Sequence, residues 1–245
     1  MKSTTVSIKE SVTIPLHLSD TEVFILESLA VDDEKADRYE GKILEQMLRM
    51  CGKAPVYYYF RTKLEFIELL KEFQKSSYRY LHLSCHASPT EIYTTYETIP
   101  LSEFCSILGS HLKNRRFFMS ACEIGNNIAS TAMFGTSKGM YSFAAPAEKI
   151  RFDHAAALWS AFYVRTGDLH VEKKKKRSNG DVTKIVSLNI QAINETLQKL
   201  CDLFGVSFYS AWYDPRADQQ KVVDISIAPS VPSTIKKATG PMKDC

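Results

Sequence analysis

The chain is 245 residues long, 44% hydrophobic and 24% charged, the proportions of an ordinary soluble globular domain. Its net charge of +3 is too weak to imply a nucleic-acid partner by itself. No apolar run approaches a membrane span, and Met1 to Ile8 has no signal-peptide core. The expected setting is therefore the cytoplasm, with no membrane partner and with thiols kept reduced. The six cysteines (Cys51, Cys85, Cys105, Cys122, Cys201 and Cys245) form no C-x-x-C pair and show no regular spacing, which argues against a disulfide framework.

In chain order, residues 1–19 alternate loosely and are broken by Pro15, as an arm or edge hairpin would be. Val23 to Leu29 reads as a buried strand, Ala30 to Ala36 as an acidic loop, and Tyr39 to Met50 as an amphipathic helix ended by Gly52. Val56 to Phe60 is a second strand, followed by a helix through Phe73. Tyr78 to Ser84 is the third strand, and residues 86–100 form a loop or short hairpin. A helix over Leu101 to Leu112 leads to the fourth strand, Arg116 to Ala121. After Cys122 come a helix to Phe134, a strand over Gly139 to Ala145 and a helix over Phe152 to Val164.

Residues 168–184 lack apolar periodicity and hold the basic run Lys173 to Arg177, read as an exposed, mobile loop. That run suits a processing site, a dock for an acidic partner, a weak nucleic-acid patch, or plain solvation, and these readings stay open. A long helix over Ile185 to Phe204, a strand over Val206 to Tyr213 and an edge strand over Val222 to Ile227 complete the order, before a Pro- and Lys-rich tail. Strands alternating with helices predict an α/β fold, a three-layer αβα sandwich around an about six-stranded, mostly parallel sheet. The divisions expected are an arm at 1–19, one domain at 20–215, and an edge strand with a flexible tail at 216–245. If the domain pairs with a second copy, the Val206 to Tyr213 strand is the candidate edge.

Two strands end in reactive residues. Tyr78 to Ser84 runs into Cys85-His86, and Arg116 to Ala121 runs into Cys122-Glu123-Ile124-Gly125. Sites in open α/β sheets form at the carboxyl ends of strands. A cysteine at one strand end and a histidine at another suit a nucleophile and its base. The alternative for Cys122 is an inert buried thiol. Strand alternation puts His82 on the same face as His86, in a structural or supporting role, and turns Cys85 to the opposite face. A zinc site built from His82, His86, Cys85, Cys105 and Cys122 has suitable ligand types, but the spacings lack a knuckle pair, so no metal and no cofactor are expected.

Leu81-His82-Leu83-Ser84-Cys85-His86 resembles the histidine strand of the CHAT branch of the caspase-like, clan CD cysteine peptidases, which typically shows His, three residues, then His. Phe118-Met119-Ser120-Ala121-Cys122-Glu123-Ile124-Gly125 resembles that branch's nucleophile strand, and the order of elements over roughly residues 20–215 matches too. The resemblance implies a caspase-like fold and a cysteine endopeptidase working through a thioester, with Cys122 as nucleophile and His86 as base. It places the oxyanion between the backbone N–H groups of Ala87 and Cys122, and a substrate pocket near Asp153 and Glu148 that would favour Arg or Lys.

It also implies a protein substrate, a regulatory protein partner and a role in bacterial antiviral defence or cell death. A catalytically inactive, partner-binding scaffold is the alternative. The chain departs from the family at Ala87, where Gly is usual, and in the turn at Ala145 to Lys149. The 36 residues from His86 to Cys122 are also fewer than the roughly 50 of true caspases. If positive φ is needed at 87, Ala87 would be strained.

Overall fold

The computed structural model describes residues 20–176, 182–214 and 222–230. The expected arm at 1–19, the end of the basic run at Arg177 and the tail beyond residue 230 lie outside them.

The first strand, β1 (Asp20–Glu27), is buried from Val23 onward. The acidic stretch behind it is a short helix, α1 (Val31–Lys35), rather than a loop, with Asp32, Asp33 and Glu34 in its first turn, where the helix dipole favours acids. Next come α2 (Glu40–Met50), β2 (Val56–Tyr59) and α3 (Lys63–Lys75), whose start is fixed by a capping box between Thr62 and Glu65. β3 (Tyr78–Ser84) leads into a small antiparallel sheet of β4 (His86–Ala87), β5 (Glu91–Tyr93) and β6 (Thr98–Pro100). α4 (Leu101–Leu108), β7 (Arg116–Ser120), α5 (Asn127–Thr136), β8 (Ser142–Pro146) and α6 (Phe152–Asp168) follow.

The expected loop at 168–184 is instead a hairpin, β9 (Val171–Lys176) paired with β10 (Val182–Ser187). The four consecutive lysines of β9 hide the alternation that normally marks a strand. β10 also takes the start of the helix expected from Ile185. That helix, α7 (Ile190–Phe204), begins where the Asn189 side chain accepts the N–H of Gln191. β11 (Phe208–Tyr213) and β12 (Val222–Ile227) finish the described fold.

Among the described residues the main sheet has seven strands, in the order β12-β11-β8-β7-β3-β1-β2. β2, β1, β3, β7 and β8 are parallel, β11 runs antiparallel to β8, and β12, antiparallel to β11, returns to the direction of the parallel set. β11 is therefore an interior strand, not the free edge expected of it; β12 covers it.

Alternation along the strands sends side chains to two cores. Phe117, Met119 and Ala121 pack with α3, α4 and α5, where Phe66 stacks between Phe60 and Phe104 at ring separations of 5.2 and 5.6 Å. Phe118 and Cys122 face α2, α6 and α7, among Trp159, Phe162 and Leu197. The result is the three-layer αβα sandwich expected from the sequence. Phe118 meets Phe162 edge to face at 5.1 Å and Tyr163 at 5.8 Å. Truncating such a residue to Ala typically costs roughly 3–5 kcal/mol, so this layer fixes where β7 ends.

Candidate active site

β3 and β7 are neighbours in register, with Ser84 opposite Ser120. The chain leaving β3 gives Cys85-His86, and the chain leaving β7 gives Ala121-Cys122. A small cavity opens at these strand ends, and Cys122 and His86 both line it. Glu40, Ser84 and Ser120 form its polar side, and Ile150, Phe152 and Ala155 its apolar side.

The turn after Cys122 is built tightly. Glu123 has φ 60, a conformation that a non-glycine residue adopts at a cost of order 1–3 kcal/mol. Gly125 donates its N–H to the Pro146 carbonyl at 2.8 Å, and a Cβ there would lie 2.3 Å from the Ala145 oxygen. Only glycine fits this approach, so the end of β7 is locked onto the end of β8. Asn126 then caps α5 by accepting the N–H of Ala129 at 2.9 Å. The Cys122 sulfur accepts the Ile150 N–H at 3.5 Å and lies 3.7 Å from the Ile150 carbonyl. Ala87 is not among the described non-glycine residues with positive φ, so the strain considered for it is absent.

His86 is held on two sides. Its Nε2 is 2.7 Å from Oδ2 of Asp33, and its ring meets Phe152 edge to face at 5.4 Å. Asp33 is buried on α1, and its other oxygen accepts from Arg38 Nη1 at 2.7 Å. Asp33 carries no sequence signal of this role, because an acid in an acidic stretch looks like a solvated charge.

Glu40 was also missed. It sits at the start of α2, is 3% exposed, and accepts from Ser120 Oγ at 2.8 Å and Ser84 Oγ at 3.1 Å, both on Oε2. Its Oε1 is 3.7 Å from His82 Nε2, and neither of these two buried atoms has a hydrogen-bond partner. His82 is fully buried, with Nδ1 3.1 Å from the Tyr163 hydroxyl. Next to Glu40 lies Glu27, which accepts from the Gly41 N–H at 2.7 Å and the Tyr57 hydroxyl at 2.8 Å. Burial pushes the Glu27 carboxyl up to about 7, and the charge of Glu40 adds to the rise.

Asp153 and Glu148 lie apart from the cavity lining, whereas Cys85 reaches it. Asp153 is exposed and paired with Arg151 through both oxygens, at 3.0 and 2.6 Å, which holds its carboxyl below the usual range. Glu148 accepts the Ser207 N–H at 2.6 Å. The acid that lines the cavity is Glu40. Cys85 packs into the α3–α4–α5 core, and burial pushes its thiol well up, which makes it a poor nucleophile. Cys105 lies in that same core, while His82 and Cys122 face the other, and no described group of three His, Cys, Asp or Glu side chains is placed to hold a metal ion. No described helix is long and apolar enough to cross a membrane.

No family model matches the chain, and no curated protein matches it. Among solved structures, the fold is similar to the secreted C11 cysteine protease "iotapain" of Bacteroides thetaiotaomicron, with a TM-score of 0.45 and 9% identity. That likeness covers 79% of this chain and 66% of iotapain, just under two thirds of it. It is also similar to caspase-1 of Spodoptera frugiperda, with a TM-score of 0.44 and 12% identity, over 87% of this chain and 88% of that one.

Proposed function

We propose that the protein is a cysteine endopeptidase with Cys122 as nucleophile and His86 as its base. The observation that carries this reading is one of placement. A cysteine and a histidine from the carboxyl ends of two adjacent central strands line one cavity, and the histidine is oriented by a buried carboxylate. With Nε2–H donating to Asp33, Nδ1 is the ring nitrogen that can take a proton. Cys122 then attacks the scissile carbonyl, its proton passes to His86, and His86 returns it to the leaving amine as the thioester forms. Water reverses the sequence and frees the acid product. The N–H groups of Cys122 and Ala87 are the proposed oxyanion donors; such a donor is worth roughly 100- to 1000-fold in rate.

The Cys122 sulfur rests against the Ile150 backbone, so attack requires it to leave those contacts. Control by a protein partner, which the CHAT resemblance implies, would act by moving this segment, and a defence or cell-death role belongs to the same reading. The resemblance implies a substrate pocket near Asp153 and Glu148; we assign the preference for Arg or Lys before the cut to Glu40, the acid that lines the cavity.

Incubation with a proteome-derived peptide library, read by mass spectrometry, tests the reading. New termini are expected after basic residues, absent with Cys122→Ala and with His86→Ala. Termini that persist in both variants would refute the assignment.

A further inference from the structure

The surroundings of His86 extend beyond one hydrogen bond. Four side chains close a ring of contacts. Asp33 Oδ2 meets His86 Nε2 at 2.7 Å, and Asp33 Oδ1 meets Arg38 Nη1 at 2.7 Å. The Arg38 guanidinium lies over the Phe152 ring at 5.8 Å, and Phe152 meets the His86 ring at 5.4 Å. Asp33 and Arg38 come from the segment following β1, far in sequence from β4. An isolated buried charge is costly unless it is paired, and Asp33 is paired through both oxygens.

We propose that Asp33 is a positioning residue of the peptidase site, making the pair Cys122–His86 into a triad, with Arg38 fixing which oxygen of Asp33 faces the imidazole. This rests on the peptidase reading above. The carboxylate holds His86 in the tautomer with hydrogen on Nε2 and steadies the positive charge that develops when Nδ1 takes the thiol proton. A carboxylate in this role can be worth about 10⁴-fold in kcat, through the tautomer and not through contact with substrate.

The role of Arg38 makes Asp33→Asn informative. Arg38 can only donate, so it claims the oxygen of the introduced amide and turns the amide NH₂ group toward His86. Nε2 must then accept, the ring proton moves to Nδ1, and the nitrogen meant to act as base is blocked. Asp33→Glu keeps an acceptor on both sides.

The test uses the full chain. Imidazole ¹⁵N shifts, with His86 assigned by its loss in His86→Ala, report the tautomer. Alkylation of Cys122 by limiting iodoacetamide at about pH 7, read by mass spectrometry, reports its reactivity. Expected are Nε2–H in the wild type, Nδ1–H in Asp33→Asn with at least about tenfold slower Cys122 alkylation, and partial recovery in Asp33→Glu, all with wild-type melting. Unchanged tautomer and alkylation in Asp33→Asn overturn the proposal, as do equal losses in Asp33→Asn and Asp33→Glu when both melt like wild type. If Asp33→Asn melts early, the ¹⁵N spectrum recorded below that melt decides. Should His86→Ala itself leave Cys122 alkylation unchanged, the peptidase reading fails, and that outcome is distinct from the failure of Asp33 alone.

Discussion

The two ends of the central strands bury opposite charges and treat them differently. At the amino ends, Arg79, Arg115 and Arg116 gather on β3 and β7. Arg115 donates to the carbonyls of Tyr78 and Ser76 and lies over the Phe73 ring. Arg116 donates to Ser142 Oγ and the Leu188 carbonyl. Burial, with Arg79 close by, pulls the Arg115 guanidinium down to about 10. These contacts are structural, tying β7 to the neighbouring strand ends and to the entry of α7.

At the carboxyl ends the buried charges are Glu27, Asp33 and Glu40, and they are met by N–H and O–H donors. There the pairing stops short, leaving Glu40 Oε1 and His82 Nε2 without hydrogen bonds beside a cavity that holds Cys122 and His86. Buried polar groups are normally satisfied, and these two atoms face each other at 3.7 Å, within ion-pair range but beyond a hydrogen bond. Burial of charge is thus not itself the mark of a site: at one end it ties strands together, and at the other it lies beside a cavity lined by Cys122 and His86.

Changes at the two ends should separate activity from stability. Glu40→Gln should have the largest effect on substrate choice, lowering kcat/KM for Arg and Lys substrates by roughly 100-fold or more. Loss of one partner of a buried charge pair costs roughly 3–5 kcal/mol. Side-by-side kinetics on peptides with basic and neutral residues before the cut would show it, and an unchanged preference would remove Glu40 from the pocket.

Glu27 gives a pH effect on stability. Its carboxyl titrates near 4.5 when unfolded and near 7 in the fold. Between these values the folded state holds the extra proton, so the stabilising contribution is full below the unfolded value and is lost as pH rises through the folded one. The total is about 3 kcal/mol at roughly 1.4 kcal/mol per pH unit. Urea titrations of wild type and Glu27→Gln across this window should diverge with that slope; parallel curves would contradict it.

At the other end, Arg115→Met leaves two carbonyls without their charged donor. It should cost about 2 kcal/mol, seen as a lower urea midpoint, while Cys122 alkylation stays at the wild-type rate. A loss of Cys122 reactivity in a folded Arg115 variant would mean that the two ends are not independent.

Much of this was legible in the sequence. Short apolar runs ending in Cys85-His86 and Ala121-Cys122 placed both residues at strand ends, because buried parallel strands are nearly continuous in apolar residues. Period two turned Cys85 away from His82 and His86, and in the fold Cys85 and Cys122 lie in opposite cores. What stayed hidden came from other segments folding over the site. Asp33 and Glu40 sit in the first turns of helices, where acids are common for reasons of the dipole alone. Nothing local distinguishes a capping acid from one aimed at a histidine many residues away. The β9–β10 hairpin escaped notice because four consecutive lysines, Lys173 to Lys176, carry no apolar alternation.

The most direct measurement is alkylation of the native protein by limiting iodoacetamide at about pH 7, cysteine by cysteine, in wild type and His86→Ala. Cys122 is expected to label faster than the exposed Cys51, although Cys122 is buried, and His86→Ala is expected to slow Cys122 alone. Labelling of Cys122 no faster than the buried Cys201, and indifferent to His86, would contradict it and leave the chain a scaffold.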